Sequence, residues 1–188
     1  MESNILSINN RAEFRAWLEK HSKSEKECWL VLKRGKPTDP TLFYYLDAVE
    51  EALCFGWIDS TVKLINGQRM QRFSPRKENG LWTELNKERV RRLERMGLMT
   101  DEGRAVFPKT DVFRMDRDIE SALKKARCLS RFRSFPPLYQ RVKAYNLSFY
   151  KKRDPDAYQR MLNHLIKETK KGNLFGEWND YGRLTDDR

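Results

Sequence analysis

Histidine is scarce in this chain of 188 residues: there are two, His21 and His164, each in a stretch with helical apolar spacing. A Ser-His-Asp triad therefore has little to work with, no G-x-S-x-G is present, and Ser74 stands before a proline with no histidine near it in sequence. Metal motifs are missing too: there is no CxxC, no HExxH and no paired-histidine spacing. Gly35-Lys36 lacks the preceding glycine and the following Ser/Thr of a phosphate-cradling loop. No metal and no cofactor is expected. The three cysteines, Cys28, Cys54 and Cys128, are odd in number, widely spaced and set in apolar patterns, which favours buried thiols in a reducing compartment over a disulfide framework. None has a base beside it in sequence to make it a nucleophile. No apolar run approaches the roughly 20 residues that span a bilayer. The start, Met1-Glu2-Ser3-Asn4, has neither the charge nor the apolar run of a signal peptide. No membrane span and a cytoplasmic location are expected.

What the chain has in abundance is positive charge, net +11, and it is unevenly spread. Residues 1–60 carry 8 Lys/Arg against 10 Asp/Glu, whereas residues 61–188 carry 30 against 17. A basic surface attracts nucleic acid, acidic headgroups or an acidic partner, unless the charges simply solvate helices. The hydrophobic content of 39% with 12% aromatics is that of a folded chain with a core. The length suits one sizeable core with a smaller helical addition.

The apolar spacing predicts a helix over 9–21 (Phe14, Trp17, Leu18, capped by Asn9 or Asn10) and a buried strand at Cys28-Trp29-Leu30-Val31-Leu32. Asp39-Pro40 reads as a cap and first helical position, followed by the stripe Leu42, Leu46, Val49, Leu53 and a Gly56 stop. That stripe places Glu50 at the edge of the buried face and turns Asp47 and Glu51 outward. Glu50 thus reads either as a surface ion-pair residue or as the carboxylate that meets another element. Ile58 to Phe73 reads as a β-hairpin about Asn66-Gly67. The turn sets Ile65 opposite Gln68, Val62 opposite Gln71, Thr61 opposite Arg72 and Asp59 opposite Ser74. Asp59, Thr61, Lys63, Arg72, Ser74 and Arg76 then share one face, with Val62, Leu64 and Phe73 on the other. Thr83 caps a basic helix to Met96, with Leu85, Val90, Leu93 and Met96 inward; a short turn follows from Thr100 to Phe107. From Asp111 onward only helical stripes appear, the last beginning at Asp154-Pro155, and residues 173–188 read as a loose aromatic tail. The fold class is α+β: a small antiparallel sheet with an Asn-Gly hairpin packed on helices over 1–110, then a helical C-terminal region over 111–188.

Three blocks stand out: Ala52-Leu53-Cys54-Phe55-Gly56-Trp57-Ile58-Asp59, then Phe73-Ser74-Pro75-Arg76-Lys77, then Trp82 with Asn86 ahead of the basic helix. In them the chain resembles the bacteriocin-protection family, also called the YdeI / OmpD-associated family. The resemblance implies a two-part layout and a link to stress or antimicrobial-peptide resistance. It departs at Gly80, where the family commonly has a serine.

The chemistry-bearing residues of these blocks are Asp59, Arg72, Ser74 and Arg76, with Trp57, Trp82, Asn86 and Glu50 beside them. Arginine forks bind carboxylate or phosphate, and an indole offers a face to a ring or base. Alternatively Asp59 neutralises an arginine across the hairpin and the tryptophans are core. Arg89, Arg92 and Arg95 form a candidate phosphate-contacting row. The leading expectation is a non-enzymatic cytoplasmic binding protein for a small anion or nucleic acid, with a protein partner also possible. The alternative is an enzyme on a small anionic substrate with Asp59 or Glu50 as general base. No RNP aromatics, GxxG clamp or helix-turn-helix supports a particular nucleic-acid reader.

Overall fold

The computed structural model describes residues 4–78 and 80–185. In chain order the elements are α1 (Arg11–His21), β1 (Cys28–Val31), α2 (Tyr45–Cys54), β2 (Trp57–Ile65), β3 (Gln68–Pro75), α3 (Glu84–Arg95), α4 (Asp101–Ala105), α5 (Arg117–Lys125), α6 (Leu129–Arg133), α7 (Pro137–Lys151) and α8 (Pro155–Lys171), with a 3-10 turn at Asp180–Gly182. The fold class is α+β, with a helical C-terminal region. The chain divides into two units, Met1–Leu81 with Arg89–Lys109, and Trp82–Glu88 with Thr110–Arg188, so α3 supplies residues to both.

In the first unit the three strands form an antiparallel sheet in the order β1-β3-β2. Asn66 and Gly67, with φ of 50° and 76°, make the two-residue turn between β2 and β3. Phe73 and Leu30 from the sheet, Phe14 and Leu18 from α1, and Val49 and Leu53 from α2 are all fully buried. The Phe14 ring lies 5.6 Å from that of Phe73. The Asn10 side chain caps α1 by accepting from the Glu13 amide. At the other end of α2, Thr100 donates to the Cys54 carbonyl at 2.7 Å. A Cβ on Gly103 would lie 2.2 Å from that same oxygen, so α4 crosses the end of α2 where only glycine fits.

Several expectations are corrected in this unit. Asp39 does not start α2: its carboxylate closes a turn on the Thr41 amide and hydroxyl, and the helix begins six residues later at Tyr45. A cap-and-proline pair fits a tight turn as well as a helix start. Glu51 is not turned outward but is as buried as Glu50, because α1 meets α2 with two arginines. Met96 is half exposed, beyond the last turn of α3.

In the second unit α5 to α8 enclose Ile119, Leu123, Phe132, Tyr139, Leu147 and Leu165. Asp116 and Asp154 cap α5 and α8 through the amides of Asp118 and Ala157. Helix α6 has no counterpart in the spacing, since five residues are too few to show a period. The segment after α8 is not loose over its described part: Trp178, Asp180 and Leu184 are buried, and Trp178 meets Tyr139 edge-on at 5.5 Å. Among the described residues no helix is long and apolar enough to cross a membrane.

Candidate functional site

The hairpin register decides which side chains meet. From the turn it runs as expected through Ile65↔Gln68 and Val62↔Gln71. A β-bulge then sets Ser60 and Thr61 together opposite Arg72, so that Asp59 pairs with Phe73, and Ile58 with Ser74. One extra residue moves every later side chain on β2 to the opposite face. The expected cluster of Asp59 with Arg72 and Ser74 is therefore split. Asp59 shares the face of Phe73, and accepts a hydrogen bond from the Tyr45 hydroxyl at 2.7 Å. Arg72 lies on the other face, with Glu27 at 2.6 Å, the Ser60 hydroxyl at 3.2 Å and that of Ser74 at 3.5 Å. The bulge is tied by the buried Gln71, whose amide nitrogen donates to the Thr61 and Arg72 carbonyls.

The other expected residues go to structural tasks. Trp57 is no stacking platform: it is buried against Trp17, and its indole N–H donates to the Ser22 carbonyl at 3.1 Å. Arg76 reaches the Leu81 carbonyl at 3.0 Å, while its amide donates to Gly56. Trp82 and Asn86 fall in the second unit and are both buried; the Asn86 amide takes the Thr83 cap. Glu50, 0% exposed, holds Arg11 at 2.7 Å and Arg92 at 3.1 Å. Beside it Glu51 holds Arg11 and, at 2.9 Å, Arg15. Burial disfavours the Arg11 charge, but Glu50 and Glu51 outweigh it, and its pKa is raised. Both Glu50 oxygens thus carry arginine donors, which leaves it poorly placed to accept a substrate proton. The row Arg89, Arg92, Arg95 is likewise not an open stripe. Arg89 is 8% exposed, Arg92 is engaged with Glu50, and Arg95 alone of the three is exposed, because α3 turns its basic side toward α2.

The register also builds something the sequence did not announce. Leu32, Val62, Arg69 and Gln71 line, with Arg34, a cavity of about 240 Å³ on the Gln71 side of the sheet. Arg34 is held in place twice over: its guanidinium lies 3.9 Å from the Tyr45 ring centroid and donates to the Gln71 side-chain oxygen at 2.6 Å. Asp59 fixes the far end of the same Tyr45. Burial first, and then the Asp59 charge, push the Tyr45 hydroxyl well above its ordinary pKa, so it stays a donor. Among the described residues neither Arg34 nor Arg69 makes an ion pair, whereas Arg11, Arg15, Arg72, Arg92 and Arg104 all do. Leu32 and Val62 are the apolar part of the cavity lining, and Val62 and Leu64 stand exposed at 41% and 72%. Tyr45, Arg34, Arg69 and Gln71 were missed because their only early signal was a polar Gln at a core-facing strand position.

The first unit is thus a small α+β domain with a two-arginine cleft on its hairpin. Residues 6–106 match the model of a domain of unknown function, DUF8412, and the chain belongs to that family. No curated protein and no solved structure matches it. The cysteines offer no nucleophile: all three are buried and free, and burial pushes the Cys54 thiol up to about 12. Among the described residues no three His, Cys, Asp or Glu side chains converge to hold a metal ion.

Proposed function

We propose that the chain is a cytoplasmic, non-enzymatic anion-binding protein of the YdeI / OmpD-associated type, and that its ligand enters the cleft between Arg34 and Arg69. The observation that carries this reading is a cavity of about 240 Å³ flanked by two arginines without ion-pair partners among the described residues. A guanidinium fork suits carboxylate or phosphate, and one already stacked and hydrogen-bonded loses little freedom on binding. The apolar side chains of Leu32 and Val62 in the lining favour a small ligand with an apolar part beside its anionic group. Asp59, Tyr45 and Gln71 position Arg34 and perform no proton transfer. The link to bacteriocin protection rests on the sequence blocks and belongs to the proposal.

Nucleic acid is the weaker ligand, because the row expected to grip phosphates is mostly engaged within the domain. Salt separates the two: polyanion binding falls steeply with ionic strength, while a two-arginine cleft responds weakly. Calorimetric titration with adenosine 5′-monophosphate, inorganic phosphate and a random-sequence single-stranded DNA tests the reading. Binding of the mononucleotide should weaken about tenfold or more in Arg34→Ala and in Arg69→Ala, since each removes a charge-assisted contact worth about 1.5–3 kcal/mol. Binding of all three probes that is indifferent to both substitutions refutes the cleft.

A further inference from the structure

The second unit holds a lysine in an unusual setting. Lys143, on α7, extends over two aromatic rings: its amine lies 3.8 Å from the Phe175 ring centroid and 5.3 Å from that of Tyr139. Among the described residues it makes no ion pair. Three other half-buried cations of the unit each have one: Lys87 sits between Glu84 and Asp111, Arg141 between Glu84 and Glu88, and Lys151 beside Asp116 and Asp118. A Cβ on Gly176 would stand 3.0 Å from the Lys143 amine, so the chain passes close over it. Beside the amine is a cavity of about 80 Å³, lined also by Asn146, Met161, His164 and Phe175. The His164 ring is 4.4 Å from the Phe175 ring, so imidazole and amine flank the same phenyl group.

We propose that Lys143 is a reactive amine that condenses with a small carbonyl compound in this cavity. The chemistry follows from the groups present. The unprotonated amine adds to the carbonyl carbon and the amine proton passes to the oxygen, giving a carbinolamine. Water then leaves, and a C=N bond replaces C=O with no net oxidation or reduction. An imidazole both accepts and donates protons, which suits His164 to carry the proton from nitrogen to the departing oxygen. The cavity sets the size: at about 30 Å³ for each water-sized group it admits roughly three, the bulk of a short aldehyde or 2-oxo acid. Burial without a carboxylate also favours the neutral amine, lowering its pKa from 10.5 to about 8 against the pull of the two ring faces on the charged form. Desolvation of a lysine in an apolar pocket is a recognised route to an amine nucleophile.

The test uses the whole chain. Protein is incubated with glyoxylate and cyanoborohydride at pH 7.4, digested, and the adducts are mapped by mass spectrometry. Each trapped imine adds the mass of the aldehyde less one oxygen. Lys143 should label about ten times faster than the median of the other lysines, as expected for an amine with a much larger unprotonated fraction. The Lys143 signal should slow several-fold in His164→Gln, while labelling elsewhere is unchanged. Labelling of Lys143 at or below the median rate in the wild-type protein overturns the proposal. So does a rate that does not fall in His164→Gln, for the role of His164.

Discussion

Replacing Glu50 with alanine is the perturbation whose cost follows most directly from the geometry. Its carboxylate is wholly buried and receives Arg11 on one oxygen and Arg92 on the other. Removing it strips both guanidinium groups of that acceptor. Breaking a fully buried pair from one side costs about 3–5 kcal/mol. Here the arginine side chains keep 33% and 19% of their surface, so water can recover part of the loss. A cost of about 2–3 kcal/mol follows once that screening is allowed for. For a unit of this size it corresponds to a fall of roughly 10–20 °C in melting temperature. Differential scanning calorimetry at pH 7 measures it, with hydrogen exchange of α1 and α2 peptides assigning the loss to the first unit. Replacing Glu50 with leucine and Arg92 with methionine together should cost less than the alanine change alone, because no half of that pair is left behind. A melting temperature for Glu50→Ala within about 3 °C of wild type would refute the buried pairing.

Gly103→Ala should destabilise the first unit by about 2 kcal/mol or more, read by urea unfolding, because its methyl group would overlap the Cys54 carbonyl. Asp59→Asn, by contrast, leaves the Tyr45 hydroxyl an acceptor and should cost about 1 kcal/mol by the same measurement, whereas an effect on Arg72 mobility would revive the rejected register. Acid should weaken the fold in a defined window. Glu27, held by Trp29 and Arg72, and Asp116, held by the Asp118 amide and opposed by some burial, both have pKa values below their ordinary 4.5 and 3.8. Their contribution is complete above those ordinary values and is lost as pH falls through the lower folded ones, so the melting temperature should drop below about pH 4. Glu27→Gln should flatten its share of that drop. Lys143→Met should raise the stability of the second unit in thermal unfolding, since it replaces an amine with no ion-pair partner among the described residues by a thioether of similar length.

The elements were legible where local chemistry speaks. Asn66-Gly67 could hardly be anything but a hairpin turn, and Thr83, Asp154 and Asn10 cap helices as their side chains dictate. The stripe of Leu46, Val49 and Leu53 located α2, although its start was misread because Asp39-Pro40 satisfies a turn equally well. What local chemistry does not carry is the bulge. Ser60-Thr61 differs little from any two polar strand residues, and its cause lies across the sheet in the Gln71 side chain. That single insertion moved Asp59 away from Arg72 and toward Tyr45, and with it the whole candidate site. The pairing of Arg11 and Arg15 with Glu50 and Glu51 was hidden for a similar reason. Each helix shows its charges, but only their packing shows that the charges face one another.

The central claim, an anion cleft on the hairpin, is tested most directly by one titration: adenosine 5′-monophosphate into the wild-type chain and into Arg34→Ala and Arg69→Ala, at low and moderate salt. Saturable binding to wild type is predicted, far less salt-dependent than polyanion binding and about tenfold weaker in either variant; Arg69→Ala should melt like wild type, whereas Arg34→Ala, which leaves the buried Gln71 side-chain oxygen without its donor, should melt a few degrees lower. Binding that is equally tight in all three proteins, or absent from wild type at low salt, would contradict that claim.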